Sequence, residues 1–276
     1  MSLTTPKGPK GLFPDQTFMP EDVVPEALIH RLTTPTVAIE GDEPTIRVPY
    51  ITDEPDASFT NEDTVIPESD IGFSEVLINT RKLAILHRSS REAVTYPNAA
   101  AGIATAMGGA IIGAANEALL HNAANPTGLL NTTGIHDAGT MGAGDLDVLS
   151  DAITAVEAMG GTADAIVMDP LSWGQLRKLK TSTGSAQLLL GNPADQTDRR
   201  LFGVEVIVSA NMPQGSALVI DSKNVLSSSG PITITQSGDF YFDRDAIAYR
   251  VTWRFGWTVV HPERLAKVAI TLPSKG

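Results

Sequence analysis

The chain has 276 residues, 42% hydrophobic and 19% charged, with a formal net charge of −12 and a pI of about 4.8. That is enough chain for a large core or two subdomains, and its acidity argues against a protein whose main task is gripping nucleic acid, which needs clustered Lys and Arg. Cysteine is absent, which excludes disulfides and thiolate metal sites, and the N-terminus lacks the apolar core of a secretory signal, so folding in the cytoplasm is expected.

Residues 1–39 read as an N-terminal arm. Pro6, Gly8, Pro9, Gly11, Pro14 and Pro20 crowd its start. Alone, a segment such as 1–20 cannot bury enough apolar surface to offset its ordering entropy, so a neighbouring subunit is its expected support. A short helix is predicted over 21–32, then an extended run to 39.

Residues 40–75 hold most of the charge asymmetry. Glu40, Asp42, Glu43, Asp53, Glu54, Asp56, Glu62, Asp63, Glu68, Asp70 and Glu75 stand against one base, Arg47, leaving −10 of the chain's −12 here. Thr45–Ile51 and Val76–Thr80 read as strands joined by a polar, proline-containing tip. The prediction is a long two-stranded arm over 40–80. An isolated hairpin is marginal in water, so the arm should lie on a partner. Lys82 to Arg91 then alternates.

Residues 98–122 read as one helix built of small side chains, with Gly102, Gly108, Gly109 and Gly113 among many alanines. Ile103, Met107 and Ile111 recur every four residues, with Leu119 further on, marking one helical face. Pro97-Asn98 starts it and Asn125-Pro126 stops it. Each interior Gly weakens a helix by roughly 1 kcal/mol relative to Ala, so tight packing on this surface is expected. A membrane span is the competing reading. The uncharged run is short of the roughly 20 residues needed, and Ala and Gly are weakly apolar, so a core helix fits better.

Residues 126–144 read as a Gly/Thr/Asn-rich connector, and 145–229 as an αβ subdomain. Asp145 is expected to cap a helix with Leu146, Leu149, Ile153 and Val156 on one face, ended by Gly160-Gly161. Ala165–Met168 is a predicted strand, and Asp169-Pro170 caps a helix running through Trp173, Leu176 and Leu179. An exposed loop is expected over 184–200, containing Arg199 and Arg200. Val204–Ser209 and Ala217–Ile220 are predicted strands around a turn at Asn211–Gly215. In 230–276 the strongest strand signal runs from Ile247 to Val260. Tyr249, Val251, Trp253, Phe255 and Trp257 alternate there with smaller or polar residues. Its aromatic face should lie on the Ala/Gly surface of the long helix. Arg250 and Arg254 fall on the other face, where acids of another chain could pair with them.

Enzyme signatures are scarce. There is no phosphate loop, no G-x-G-x-x-G after a strand, no G-x-S-x-G elbow and no H-E-x-x-H. His136-Asp137 is the only local His–carboxylate pair. Asp145, Asp147 and Asp151 have only a superficial likeness to metal ligands, since no EF-hand loop follows. No catalytic residue, cofactor or metal is expected.

Four local motifs occur in a telling order. They are Asn125-Pro-Thr-Gly-Leu-Leu130, then Met168-Asp-Pro-Leu-Ser-Trp-Gly-Gln-Leu-Arg-Lys-Leu-Lys180. Leu201-Phe-Gly-Val-Glu-Val-Ile-Val-Ser209 follows with Asn211-Met-Pro213, and finally Tyr249-Arg-Val-Thr-Trp-Arg-Phe-Gly-Trp257 with His261-Pro262. With the arm, acidic loop and long helix, the chain resembles the HK97-type major capsid proteins of tailed bacteriophages. The resemblance implies an α+β fold: N-terminal arm (1–39), extended E-loop (40–80), peripheral domain with spine helix (81–125), axial domain (126–229) and peripheral return (230–276).

It also implies a structural role. Copies would form pentamers and hexamers tiling an icosahedral shell around packaged double-stranded DNA, held non-specifically and with no membrane. The shell would assemble in the host bacterial cytoplasm and end in the virion, beside a portal and any separate scaffold or decoration proteins. The candidate inter-subunit contacts are Asp53, Glu54, Asp56, Glu62, Asp63, Arg199, Arg200, Arg250 and Arg254. No lysine occurs between Lys10 and Lys82, so the isopeptide link that the family's founding member makes from its E-loop is not expected there. An encapsulin-like compartment is the nearest alternative, and a soluble αβ enzyme using 145–229 the more distant one.

Overall fold

The computed structural model of the chain describes residues 16–53, 59–61, 68, 72–95, 99–142, 146–180, 188–190 and 199–272. Strand β1 (Gln16–Phe18) opens it, followed by two single-turn helices, α1 (Pro20–Val23) and α2 (Ile29–Leu32), and the two-residue strand β2 (Thr34–Pro35). The sequence predicts one helix across 21–32. Pro25 falls in its middle, where a proline removes a backbone bond and clashes with the preceding turn, so the helix divides around it. Val24, Ala27, Leu28, Ile29 and Leu32 are all buried in the main core. Of the Pro/Gly-rich tail expected over 1–20 to need a neighbouring subunit, residues 16–18 pair with a strand of the chain's own body. Residues 16–35 are built into the body, while 1–15 lie outside the described residues.

Strands β3 (Thr45–Asp53) and β4 (Gly72–Ser90) form the expected hairpin, pairing Ile46 with Ile78 and Ile51 with Phe73. The sequence suggests a strand ending at Thr80, yet β4 runs unbroken for 19 residues. Its covered face changes along the way. Even-numbered Val76 and Ile78 turn inward in the arm, whereas odd-numbered Leu83, Ile85 and His87 turn inward in the body. The reversed phase reads as a break in sequence and is instead one strand passing from one core to another.

Helix α3 (Arg91–Thr95) leads to the spine helix α4 (Ala99–His121). Asn131 Nδ2 donates to the His121 and Asn122 carbonyls at 2.8 and 3.1 Å, satisfying its terminal acceptors. The chain then passes close beneath the helix end. A Cβ on Gly128 would fall 2.3 Å from the Asn122 amide nitrogen, so only glycine fits there.

Next come β5 (His136–Met141), α5 (Asp147–Ala158), β6 (Ala165–Met168), α6 (Pro170–Leu176), β7 (Arg200–Leu201), β8 (Val204–Val208) and β9 (Ser216–Ile220). Strand β5 lies within the predicted connector. Helix α5 starts with Leu146 at its N-cap position, which offers no side-chain cap bond, and the expected cap, Asp145, lies outside the described residues. Helix α6 stops at Leu176, leaving Leu179 in the following turn. Its cap is the predicted one. Buried Asp169 accepts from the Leu171 and Ser172 amides at 2.9 and 3.1 Å, from the Ser172 hydroxyl, and from the distant Gly215 amide at 3.1 Å.

The chain closes with β10 (Val225–Ser229), β11 (Ile232–Tyr241), β12 (Ala246–Val259) and β13 (Ala266–Ile270). Strand β12 organises a seven-stranded sheet. β4 takes one of its edges; β11 and β10 share the other, with β1 beyond β11 and β2 beyond β10. The second sheet has six strands in the order β5-β13-β9-β6-β8-β7. These pairings shift the expected domain limits: β10 leaves the 126–229 unit for the first sheet, and β13 leaves the 230–276 unit for the second.

The inner face of β12 carries Tyr249, Val251, Trp253, Phe255 and Trp257, buried together with Met107, Ile111, Ala115 and Leu119 of the spine helix. Helix and strand share one core, as expected, but not through the glycines. A methyl group added at Gly102, Gly108 or Gly109 would meet nothing within 4 Å. The large residues of the spine meet the aromatics, and most of its Ala/Gly surface looks outward. The stretch Gly102–His121 is long and apolar enough to cross a membrane by length and composition, as core helices also are. Here its apolar stripe closes a core.

Candidate functional site

The arm leaves the body over a small core of its own. Ile46, Val48 and Ile78 are buried with Ile39, and Val76 and Leu226 pack against them. Tyr50 meets the His261 ring edge-on at 6.2 Å. The base of the arm is therefore held by its own chain, which corrects the expectation of a hairpin with no interior. Cross-strand pairing puts Ile51, Phe73 and Leu77 on the opposite face. They are 54%, 74% and 48% exposed, so three large apolar side chains of one face are only partly covered by the described residues. Phe59, beyond them, is fully exposed. Folded chains scatter single apolar residues on their surface, but a row on one strand pair marks a contact surface.

The outer face of the large sheet has a different chemistry. The register places Arg254 opposite Lys82, Arg250 opposite Leu86, and Arg88 opposite Ala248. Partners directly opposite share a face, so Lys82, Arg88, Arg250 and Arg254 all lie on the side away from the aromatic core. Arg254 is engaged within its own chain. Its Nη2 reaches Asp42 Oδ1 at 3.0 Å and its Nη1 donates to Thr80 Oγ1 at 3.2 Å. Arg88 sits 5.8 Å from the centre of the Tyr241 ring. Arg250 and Lys82 are exposed and have no ion-pair partner among the described residues.

Arg199 and Arg200 enter and form β7, against β8. With Arg31 and Glu205 they line an open cleft of about 390 Å³. Arg31 pairs with Glu205 at 2.7 Å, tying α2 to the second sheet. Of the acidic candidates, Asp53 ends β3; Glu54, Asp56, Glu62 and Asp63 lie outside the described residues. The structure thus puts Arg250 and Arg254 on one face of the first sheet and Arg199 and Arg200 in one cleft beside the second. Sequence reasoning missed Lys82, Arg88 and Phe73. The alternation through 82–88 carried the signal for the first two, but only the pairing with β12 shows that they share a face with Arg250. Among the described residues, no group of three or more His, Asp or Glu is placed to hold a metal ion.

A row of exposed apolar residues and a row of cations are the features of surfaces that meet other surfaces. The family model of the phage capsid family matches residues 21–270. The chain belongs to the phage capsid family. It is a major capsid protein of the virion, a structural rather than enzymatic component, with the HK97-like α+β fold.

Solved structures from phages and from a GTA particle agree in fold. The chain is similar to a protein of Gordonia phage Cozz, at 21% identity with a TM-score of 0.69, over 98% of this chain and 92% of that one. A protein in the capsid of a native GTA particle computed with C5 symmetry is 17% identical with a TM-score of 0.69, over 98% and 96%. One of Mycobacterium phage Bobi is 19% identical with a TM-score of 0.68, again over 98% and 96%. No curated protein matches the chain.

Proposed function

We propose that this capsid protein forms pentamers and hexamers that tile a closed icosahedral shell around packaged double-stranded DNA, assembled in the host cytoplasm. The observation that carries this reading is the arm. Its outer face keeps Ile51, Phe73 and Leu77 in water, while its other face is well buried at the base. A chain that packs one face of an apolar strand pair at its base and leaves the other face largely open to water has made it ready for a neighbour. Preorganisation lowers the ordering cost of association. The contact is heterologous, arm to body, and heterologous contacts close into rings when the rotation permits. The relative solved in a particle with five-fold symmetry supports rings of this kind.

Negative-stain microscopy of the purified chain tests the shell directly. Closed particles of uniform size with five- and six-fold rings are expected, and discrete small oligomers would refute the reading. Nuclease treatment of particles from infected cells separates a genome container from an empty compartment. Protected double-stranded DNA is the expected result.

A further inference from the structure

We infer that the cleft between α2 and the β7–β8 pair is a binding site for a phosphate dianion, held by Arg31, Arg199 and Arg200. The inference is independent of the shell reading and adds a small ligand to the chain.

Two distant parts of the sequence build the cleft. Arg31 comes from α2, whose Ile29 and Leu32 are buried in the main core with the spine helix. Arg199 and Arg200 come from β7 and the residue before it, at the edge of the second sheet. Arg200 lies directly opposite Glu205, so both side chains share the face of β8 that carries Ile207, the face turned to the main core. Arg31 meets Glu205 there at 2.7 Å. The cleft encloses about 390 Å³. Small-ligand sites run from about 300 to 1,000 Å³.

Charge decides the ligand. Three guanidiniums and one carboxylate line the cleft, which leaves a formal +2 in a chain of −12. The carboxylate, Glu205, is already taken by Arg31. The Arg199 side chain has no hydrogen-bond or ion-pair partner among the described residues, and Arg200 has one long bond, its Nη1 donating to the Gly203 carbonyl at 3.4 Å. Each guanidinium therefore offers a planar, permanently charged fork of N–H donors. A carboxylate brings one charge and two oxygens, enough for one fork. Inorganic phosphate or a phosphate monoester brings nearly two charges at neutral pH and at least three acceptor oxygens, enough for two forks at once. Duplex DNA spreads single charges along its length and is held by a run of cations rather than by one cleft. Bound here, the dianion joins α2 to the second sheet beside the Arg31–Glu205 pair, and it stabilises the folded chain by mass action.

Isothermal titration of the full-length chain with sodium phosphate at fixed ionic strength tests the site. One phosphate per chain is expected, with a dissociation constant in the millimolar range or tighter. Adenosine monophosphate should displace it and adenosine should not; a nucleotide that binds more tightly than inorganic phosphate marks the nucleotide as the source, and equal binding marks the free ion. R199A/R200A should weaken binding by about tenfold or more, while the ligand-free melting temperature stays unchanged because both side chains are exposed. Glu205→Gln separates binding from structure. It breaks the ion pair with Arg31, so the ligand-free chain melts no higher, yet it should bind phosphate severalfold more tightly because the competing carboxylate is gone.

A wild-type chain that takes up no phosphate in the millimolar range would overturn the inference. So would binding that survives R199A/R200A, binding weakened by Glu205→Gln, acetate competing as well as phosphate does, or uptake of duplex DNA without inorganic phosphate. Each of these results leaves the shell reading standing, since microscopy tests that separately.

Discussion

Phe73→Ser separates folding from assembly. In the unassembled chain Phe73 is 74% exposed, so only a quarter of its surface is lost from contact. Taking about 200 Å² for the residue, that is roughly 50 Å² or about 1 kcal/mol at 25 cal/mol per Å². For a chain of this size the melting temperature should fall by only about 2–4 °C. A neighbour that covers the ring completely removes the other 150 Å² or so from water, worth about 4 kcal/mol for each arm contact. Losing that weakens each contact several hundredfold. The assay follows both quantities in one preparation: differential scanning fluorimetry on dilute chain, and light scattering against protein concentration for the onset of assembly. A melting temperature lowered by ten degrees or more would show that Phe73 belongs to the fold of the single chain. An unchanged onset would show that no neighbour covers it. Either result refutes the arm argument.

Asp169→Ala should be among the most damaging single changes outside the apolar core. It removes the acceptor for three backbone amides and the Ser172 hydroxyl, and with it the link from α6 to the Gly215 turn; about 3–5 kcal/mol is expected from urea unfolding of unassembled chain. Gly128→Ala places a methyl 2.3 Å from backbone, so soluble yield should drop sharply, whereas Gly109→Ala, in open space, should leave stability equal or raise it by about 1 kcal/mol. The Gly139 amide and then Lys267, 3.1 Å away, hold the Asp137 carboxyl below its ordinary 3.8. A lowered pKa means stabilisation that is full above that ordinary value and is lost as pH falls through the folded one. Asp137→Asn should therefore lower stability slightly at pH 8 and everywhere above that ordinary value, and leave it unchanged at pH values below the folded pKa, which flattens the acid limb; the group is largely exposed, so the effect is small, and a loss as large at the acid end as at pH 8 would contradict the assignment.

Much of the fold was legible because its signals are local. The strict alternation from Tyr249 to Trp257 makes a strand whatever surrounds it. The four-residue spacing of Ile103, Met107 and Ile111 makes a helix with one apolar face. Asp169-Pro170 caps and starts a helix by side-chain chemistry confined to three residues.

What tertiary structure decided depended on residues distant in sequence. Whether β4 ended at Thr80 or continued to Ser90 turned on what covered each face, Ile39 and Leu226 on one side and the spine helix on the other. A one-residue phase change cannot announce that by itself. The placing of β13 in the second sheet came from its partners β5 and β9, since five alternating residues fit either sheet. The basic face is the same kind of fact. Lys82, Arg88 and Arg250 are unremarkable surface cations until the register of β4 on β12 sets them side by side, because charge acts through distance in space and not along the chain.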